Sequence, residues 1–323
     1  MTAFSANTIG KQGYGAMGLS HSYGQADDAA SIRTIHRALE LGVTLVDTAN
    51  VYGQGHNEEL VARALAGGKR ERVVLATKFG LRFGDDPEDR RVNGSPAYAR
   101  RRLEESLRRL KVDHVDLYYL HRVDPLVPIE DTVGELARLK DEGKIGAIGL
   151  SEAPAAIIRR AHAVHPIAAL QSEYSIWERH VEADILPTTE ELGIVFVAYS
   201  PLGRGFLAGN RPTEESDRRH AHPRFQPEAV AANSPRLRVI EDIAERLGVS
   251  VGQVSLAWLL KRGVVPIPGT RHIAHLEANL AAGDIHLDAD TLAALNAAFP
   301  VGSTVGDRYP PQMLATLQAA TAN

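Results

Sequence analysis

Short apolar runs alternate with longer helical patterns eight times along this chain, and that alternation narrows the fold more than any other feature. The runs occupy residues 13–20, 44–48, 73–78, 115–121, 145–151, 168–171, 194–200 and 264–268. In Val115-Asp116-Leu117-Tyr118-Tyr119-Leu120 and Ile194-Val195-Phe196-Val197-Ala198, apolar residues follow one another, as they do in strands buried on both faces of a parallel sheet. Helix signals lie between the runs. Asp27 can cap a helix that reaches Leu41 and stops at Gly42, Ser95-Pro96 can open one that reaches Leu110, and a third spans Asp131 to Glu142 and stops at Gly143. With no linker between the halves of the 323 residues, the pattern predicts an α/β fold, a (β/α)8 TIM barrel of parallel strands, as a single domain over residues 1–323.

One stretch breaks the rhythm. Residues 203–235 hold Pro212, Pro223 and Pro227, many charges and few apolar positions, and read as a long loop at an active site or a partly disordered segment.

Composition removes whole classes of function. The chain has no cysteine, which excludes disulfides, thiolate metal sites and thiol catalysis. Its 36 Lys and Arg against 40 Asp and Glu give a net charge of -4, with no basic face for nucleic acid. The run Arg100-Arg101-Arg102, then Glu104-Glu105 and Arg108-Arg109, reads as a solvated helix face whose charges pair three and four residues apart. Met1-Thr2-Ala3-Phe4-Ser5 is not a basic segment leading into an apolar one, and no run approaches the roughly 18 apolar residues of a membrane span. A cytoplasmic protein without a membrane partner is the expectation. The pairs His220 and His222, His162 and His165, and His272 and His275 lack carboxylates at ligand spacing, so no metal site is expected.

Gly13-Tyr14-Gly15-Ala16-Met17-Gly18 matches the G-x-G-x-x-G dinucleotide fingerprint, but its context is wrong. The true fingerprint opens directly into a helix whose N-terminus meets the pyrophosphate, whereas residues 19–26 intervene here. Asp47 also lies farther on than the roughly 20 residues expected. Gly13, Gly15 and Gly18 are therefore read as close-packing positions on the first strand.

Asp47, Tyr52, Lys78 and His121 fall at or just past the C-terminal ends of the second, third and fourth runs, the face on which barrel enzymes build their sites. Together they suit one task, protonating a carbonyl oxygen as hydride reaches its carbon. A phenol with a pKa of about 10 gives up its proton poorly near neutrality unless the phenolate is stabilised. Lys78 would supply that charge and lower the pKa of Tyr52, Asp47 would hold Lys78 charged, and His121 would donate to the same oxygen. Taken singly, each residue is equally well a cap, a turn or a satisfied buried side chain.

The segments G-V-T-L-V-D-T-A-N-V-Y-G (42–53), L-A-T-K-F-G (75–80) and D-L-Y-Y-L-H-R (116–122) closely resemble aldo-keto reductase signatures. So do G-K-I-G-A-I-G-L-S-E (143–152), V-A-Y-S-P-L-G-R-G (197–205) and V-P-I-P-G-T-R (265–271), and the likeness runs in order to about Asn279. Within the family the chain is similar to the bacterial and plant branch described as auxin-induced or pyridoxal-reductase-like. The resemblance implies NADPH-dependent reduction of aldehydes or ketones, with Asp47, Tyr52, Lys78 and His121 as the catalytic tetrad and Tyr52 as general acid.

The resemblance also implies cofactor contacts. Ser151 and Gln171 would hold the nicotinamide carboxamide, Tyr199 would stack on its ring, and Met17 and Gly18 would lie beneath it. Ser200, Leu202, Gly203, Arg204 and Gly205 would wrap the pyrophosphate. Gly269, Thr270 and Arg271, leading into a helix, would bind the adenosine 2′-phosphate, and Asn279 the adenine. Glu152 stands where the family commonly has Asn, and a carboxylate cannot donate a hydrogen bond to the carboxamide. Ala278 stands where relatives often carry Glu.

Tyr23, Arg122 and Trp177 are the candidates for the substrate pocket, and a small carbonyl compound is the expected partner. Arg82, Arg90 and Arg91 read as a solvated loop, with attraction of an anionic substrate as the other reading. A homo-oligomer is compatible with the pattern. The competing function is a nicotinamide-binding regulatory subunit with little turnover, like the channel β subunits that share the fold. Such subunits tend to carry an extended N-terminal segment, and the barrel here is expected to start by Gly13.

Overall fold

A computed structural model describes residues 6–20, 26–82, 91–212 and 217–319. Its strands are β1 (Tyr14–Gly15), β2 (Leu45–Asp47), β3 (Val74–Phe79), β4 (Val115–Leu120), β5 (Ile145–Ser151), β6 (Ala169–Glu173), β7 (Val195–Tyr199) and β8 (Val265–Pro266). Each pairs in parallel with the next, so the sheet runs in sequence order from β1 to β8. The seam is closed by the backbone of Gly13, whose N–H donates to the Pro266 carbonyl at 3.0 Å. The result is the (β/α)8 barrel that the alternation predicts.

Successive residues of each strand face opposite cores. Leu117 and Tyr119 of β4 point inward, with Leu45, Ala76, Ala147, Ala169 and Val197, and Ile9 from the short helix Ala6–Ile9 joins them. Tyr118 and Leu120 point outward against the helices, where Tyr118 stacks on Phe79 with ring centroids 4.9 Å apart. Gly149 of β5 leaves the room that Tyr119 fills, since a Cβ there would run into the tyrosine ring.

Local chemistry sets the helix ends. Asp27 accepts a hydrogen bond from the Ala29 N–H at 2.8 Å and caps Asp28–Glu40, and Gly42 beyond it takes the left-handed φ of 85°. Pro96 occupies the first turn of Pro96–Leu110, where its missing N–H costs nothing. Ile129–Asp141 starts two residues before the expected Asp131, because Pro128 supplies the extended residue that precedes it.

Three expectations need correction. The first run contributes a strand of only two residues, followed by a 3-10 turn at Met17–Leu19, so Gly18 is off the strand. The segment 203–235 is not loop to its end: the helix Pro227–Leu247 begins inside it, with Pro227 as a starter and Pro235 carried in the interior. Two of the five arginines of Pro96–Leu110 bind across helices. Arg102 pairs with Glu105 at 2.7 Å as expected, but Arg100 reaches Glu135 and Glu142, and Arg109 reaches the buried Glu58. Glu58 is satisfied by Thr77 on its other oxygen, which ties the helix His56–Leu65 to β3. Among the described residues, no helix is long and apolar enough to cross a membrane.

Candidate active site

Parallel pairing brings the ends of β2, β3 and β4 together, and with them four of the expected groups. Lys78 is fully buried and donates from Nζ to Asp47 Oδ1, to the Thr48 carbonyl at 2.9 Å and to the Tyr52 hydroxyl at 3.5 Å. The His121 ring meets Tyr52 edge-on with centroids 5.9 Å apart, and its Nδ1 is buried without a hydrogen-bond partner. Tyr52 is aimed by a turn in which Gly53, Gln54 and Gly55 all have left-handed φ (58°, 53° and 90°). A Cβ on Gly53 would stand 2.8 Å from the Ser20 Cβ, so this position needs glycine. Asn57 braces the turn, accepting from Thr48 at 2.6 Å and donating to the Ala16 carbonyl and to Ser20.

The electrostatics of the four groups differ. Burial works against the charge of Lys78, but the carboxylate of Asp47 outweighs it and holds the ammonium above its usual pKa. Burial pushes the Tyr52 hydroxyl up, and the downward pull of Lys78 does not cancel it. Lys78 pulls in the expected direction and burial prevails: the phenol is protonated in this state, and Lys78 has its full effect only as negative charge develops on the oxygen. His121 is driven well below the usual imidazole range by burial and by Arg122 and Lys78, so it is neutral near pH 7.

These groups open onto a cleft of about 1280 Å³ that reaches from Tyr52 and His121 to Arg271 and Asn279. Met17, Gly18, Ser151, Gln171, Tyr199, Ser200, Leu202, Arg204, Gly205, Gly269, Thr270, Arg271 and Asn279 all line it. Two of them are engaged differently from what the resemblance implies. Gln171 donates to Asp47, and Ser151 Oγ accepts from Arg122 at 3.2 Å.

The backbone fits a bound dinucleotide. Gly203, Arg204 and Gly205 take consecutive left-handed φ of 55°, 55° and 94°, the kind of curled backbone that cups anions. The helix Ile273–Ala281 starts two residues after Arg271, with His272 as an N-cap whose side chain makes no capping bond, which leaves its N-terminus at the cleft end. Tyr14 and Thr34 fasten the loop before it, donating to the Thr270 carbonyl at 2.5 Å and the Arg271 carbonyl at 3.1 Å.

Gly203 lies behind the cleft wall. A Cβ there would come within 2.6 Å of the Trp177 indole. Trp177 is likewise a wall residue and not a pocket residue: it is 5% exposed and stacks on Phe206 with centroids 4.2 Å apart. Arg122 does line the cleft, donating to the His121 carbonyl at 2.6 Å and to Tyr309 at 3.3 Å. Tyr23 and Arg90 lie outside the described residues. Arg82 and Arg91 flank the isolated bridge between Leu81 and Val92, and neither lines the cleft.

No pattern in the sequence points to the segment around Tyr309. The Tyr309 hydroxyl lies 2.6 Å from that of Tyr199, and the residue is 5% exposed. Arg308 beside it binds both oxygens of Glu152, at 3.2 and 2.9 Å. Glu152 has a left-handed φ of 53°, which Asn tolerates and Glu adopts at a cost of about 1–2 kcal/mol. Its carboxylate also accepts from Ser172 at 2.9 Å and from the Glu173 N–H at 2.8 Å. Although burial works against that charge, Arg308 and Arg122 hold the carboxyl well below its usual range. No motif marks these partners. The only signal in the sequence is the unexpected acid at position 152.

Known proteins resemble the chain along most of its length. A profile of the aldo/keto reductase family matches residues 11–299. A probable aldo-keto reductase of Glycine max is 46% identical over 311 residues, covering 93% of this chain and 88% of that protein. Among solved structures, a glycerol dehydrogenase of Gluconobacter oxydans superposes with a TM-score of 0.80 at 32% identity, covering 94% of each chain. A thermostable aldo-keto reductase in complex with the inhibitor epalrestat gives 0.72 at 29% identity, covering 90% of this chain and 95% of the other.

Proposed function

Since the chain belongs to the aldo/keto reductase family of oxidoreductases, we propose that it reduces aldehydes or ketones to alcohols with NADPH, using Tyr52 as the proton donor. The observation that carries this reading is the buried ion pair beneath one phenol: Lys78, paired with Asp47, lies 3.5 Å from the Tyr52 hydroxyl.

When bound, the reduced nicotinamide supplies a hydride to the carbonyl carbon. The protein's own share is the proton and the field around the oxygen. Tyr52 and His121 hold the carbonyl oxygen between a phenol O–H and a neutral imidazole. As the carbon accepts hydride, Tyr52 passes its proton to the oxygen, and the charge left on the phenolate is met by Lys78. Asp47 keeps that ammonium protonated and in place, so Lys78 stabilises the phenolate without becoming the donor. Lys78 is fully buried and does not line the cleft, so water has no direct access to its ammonium, while Asp47 reaches the cleft wall.

Ser200, Leu202, Arg204 and Gly205 would hold the pyrophosphate of the cofactor, and Thr270, Arg271 and the helix after them the 2′-phosphate, which favours NADPH over NADH. Tyr199, Met17 and Gly18 would bracket the nicotinamide. In the same proposal, residues 1–323 act as one barrel domain in the cytoplasm on small carbonyl compounds.

The test is loss of reduced-nicotinamide absorbance on addition of 4-nitrobenzaldehyde, pyridoxal or methylglyoxal, with NADPH and NADH in parallel. Turnover that Tyr52→Phe removes supports the reductase. Tight NADPH binding with no turnover across the panel overturns it in favour of a cofactor-binding regulatory subunit.

A further inference from the structure

The cleft wall next to His121 holds a cation whose hydrogen-bond partners are all neutral. Arg122 is buried, lines the cleft together with Tyr52 and His121, and donates from Nη1 to the His121 carbonyl at 2.6 Å and to Ser151 Oγ at 3.2 Å. Its Nη2 donates to the Tyr309 hydroxyl at 3.3 Å. The cations nearby each face an acid instead. Lys78 has Asp47, Arg308 has Glu152, Arg224 has Glu178, and Arg204 stands 3.7 Å from Glu173. Among the described residues, no carboxylate comes within ion-pair distance of Arg122.

Donors also outnumber acceptors in this corner. Among the described residues, Nε of Arg122 has no acceptor and Nη2 uses one of its two N–H groups. The Tyr199 and Tyr309 hydroxyls, 2.6 Å apart, share a single hydrogen bond, so one phenolic proton of the pair has no acceptor among the described residues either. A buried charge without a counter-charge and buried donors without acceptors are both costly. One kind of group relieves both: an anion, which only accepts.

The corner lies close to the reacting groups. Burial comes first in driving the His121 imidazole down and Arg122 second. Burial likewise leads at the Tyr52 hydroxyl, where Arg122 is among the cations that pull the other way. Arg82 and Arg91 stand outside the cleft and take no part.

We propose that the carbonyl substrate carries a carboxylate, and that Arg122, with the phenol pair of Tyr199 and Tyr309 beside it, binds that carboxylate. The proposal rests on the reductase reading and narrows it to oxo acids. The aldehyde or ketone oxygen goes to Tyr52 and His121, and the acid goes to the guanidinium one residue along the chain. A carboxylate accepts two N–H bonds from one guanidinium at once and supplies the opposite charge, which a neutral amide in its place does not.

The experiment measures kcat/KM with NADPH for two pairs of substrates of the same shape and different charge: 4-carboxybenzaldehyde against 4-formylbenzamide, and 3-carboxybenzaldehyde against 3-formylbenzamide. Wild type, Arg122→Lys and Arg122→Gln are compared. In the wild type the acid of at least one pair is expected to be preferred about ten-fold or more, a preference that Arg122→Lys keeps in part and Arg122→Gln removes. The amide is the reference within each variant, so a general loss from disturbing the His121 carbonyl cancels in the ratio. A wild type with no preference in either pair, or a preference that survives Arg122→Gln, overturns the proposal. If the wild type reduces none of these and not 4-nitrobenzaldehyde either, the reductase reading is what fails, and this proposal with it. Calorimetry tests the same claim without turnover. Protein saturated with NADP+ is expected to bind benzoate about ten-fold or more tighter than benzamide, and Arg122→Gln to bind both weakly; equal binding in the wild type overturns the proposal. Ratios near one together with weakened NADPH binding in Arg122→Gln would assign the guanidinium to the nicotinamide carboxamide and overturn it as well.

Discussion

Gln171 donates from Nε2 to Asp47 Oδ2 at 2.8 Å while Lys78 holds the other oxygen, so the buried carboxylate is fixed from two sides. The amide expected at the nicotinamide is thus also a brace for the ion pair beneath Tyr52. Gln171→Leu leaves one carboxylate oxygen buried and unpaired, at a cost of about 1–3 kcal/mol. Chemical denaturation is expected to show that loss, with a fall in kcat larger than any rise in KM. A loss of stability with kcat untouched would make the contact purely structural.

Tyr52→Phe removes the proposed proton and keeps the ring. The expected loss in kcat is about 100- to 10,000-fold, with NADPH affinity, read by fluorescence titration, close to that of the wild type. Retained turnover would remove Tyr52 from its role.

The pH dependence follows from two shifts of opposite direction. Tyr52 must be protonated to act, and burial raises its pKa, so activity is present below that value and is lost as pH rises through it. His121 has its pKa pushed down and stays neutral through mild acid. The profile of kcat/KM for reduction is therefore expected to be flat from about pH 6 to 9 and to fall only above about pH 10. An acid limb near pH 6.5 would mean that His121 titrates as an ordinary imidazole.

Arg271 and the helix start behind it are assigned to the 2′-phosphate. Arg271→Ala is expected to weaken NADPH by about 10- to 100-fold and NADH by little, a charged hydrogen bond being worth about 1.5–3 kcal/mol. Equal losses for both cofactors would sink the assignment.

His222 links acid to the segment over the cleft. Burial, with Arg204 and Arg224 nearby, pushes its pKa down to about 4. The unfolded chain takes up the proton near pH 6.5, before the folded one does, so the contribution is complete above pH 6.5 and is lost as pH falls toward 4. Partial exposure discounts the effect to about 1–2 kcal/mol. Denaturation midpoints at pH 7 and pH 5 are expected to differ less in His222→Asn than in the wild type, and an identical difference would contradict the linkage.

Local signals were legible in the sequence. The apolar run 145–151 coincides with β5, and Asp27, Gly42, Pro96 and Gly143 mark helix ends because capping and φ preferences act within a few residues. The groups at the ends of β2 to β4 were also legible, because parallel pairing in sequence order leaves one place for them to meet. Long-range partners were not. Glu152 and Arg308 are 156 residues apart, and Tyr199 and Tyr309 are 110 apart, and neither pair has a spacing rule. Proline misled in the segment 203–235, since Pro227 starts a helix that Pro235 does not interrupt.

The barrel seam has an evolutionary consequence. A Cβ on Gly15 would lie 2.7 Å from the Ile267 carbonyl oxygen, and a Cβ on Gly269 would collide with the carbonyl of Gly15. Each glycine faces the main chain across the seam, which no change of side chain can move aside. Compensation by a second mutation, the usual escape from a bad substitution, is closed at both positions. Descendants of this chain can remodel the cleft residue by residue, but they inherit the join between its first and last strands unaltered.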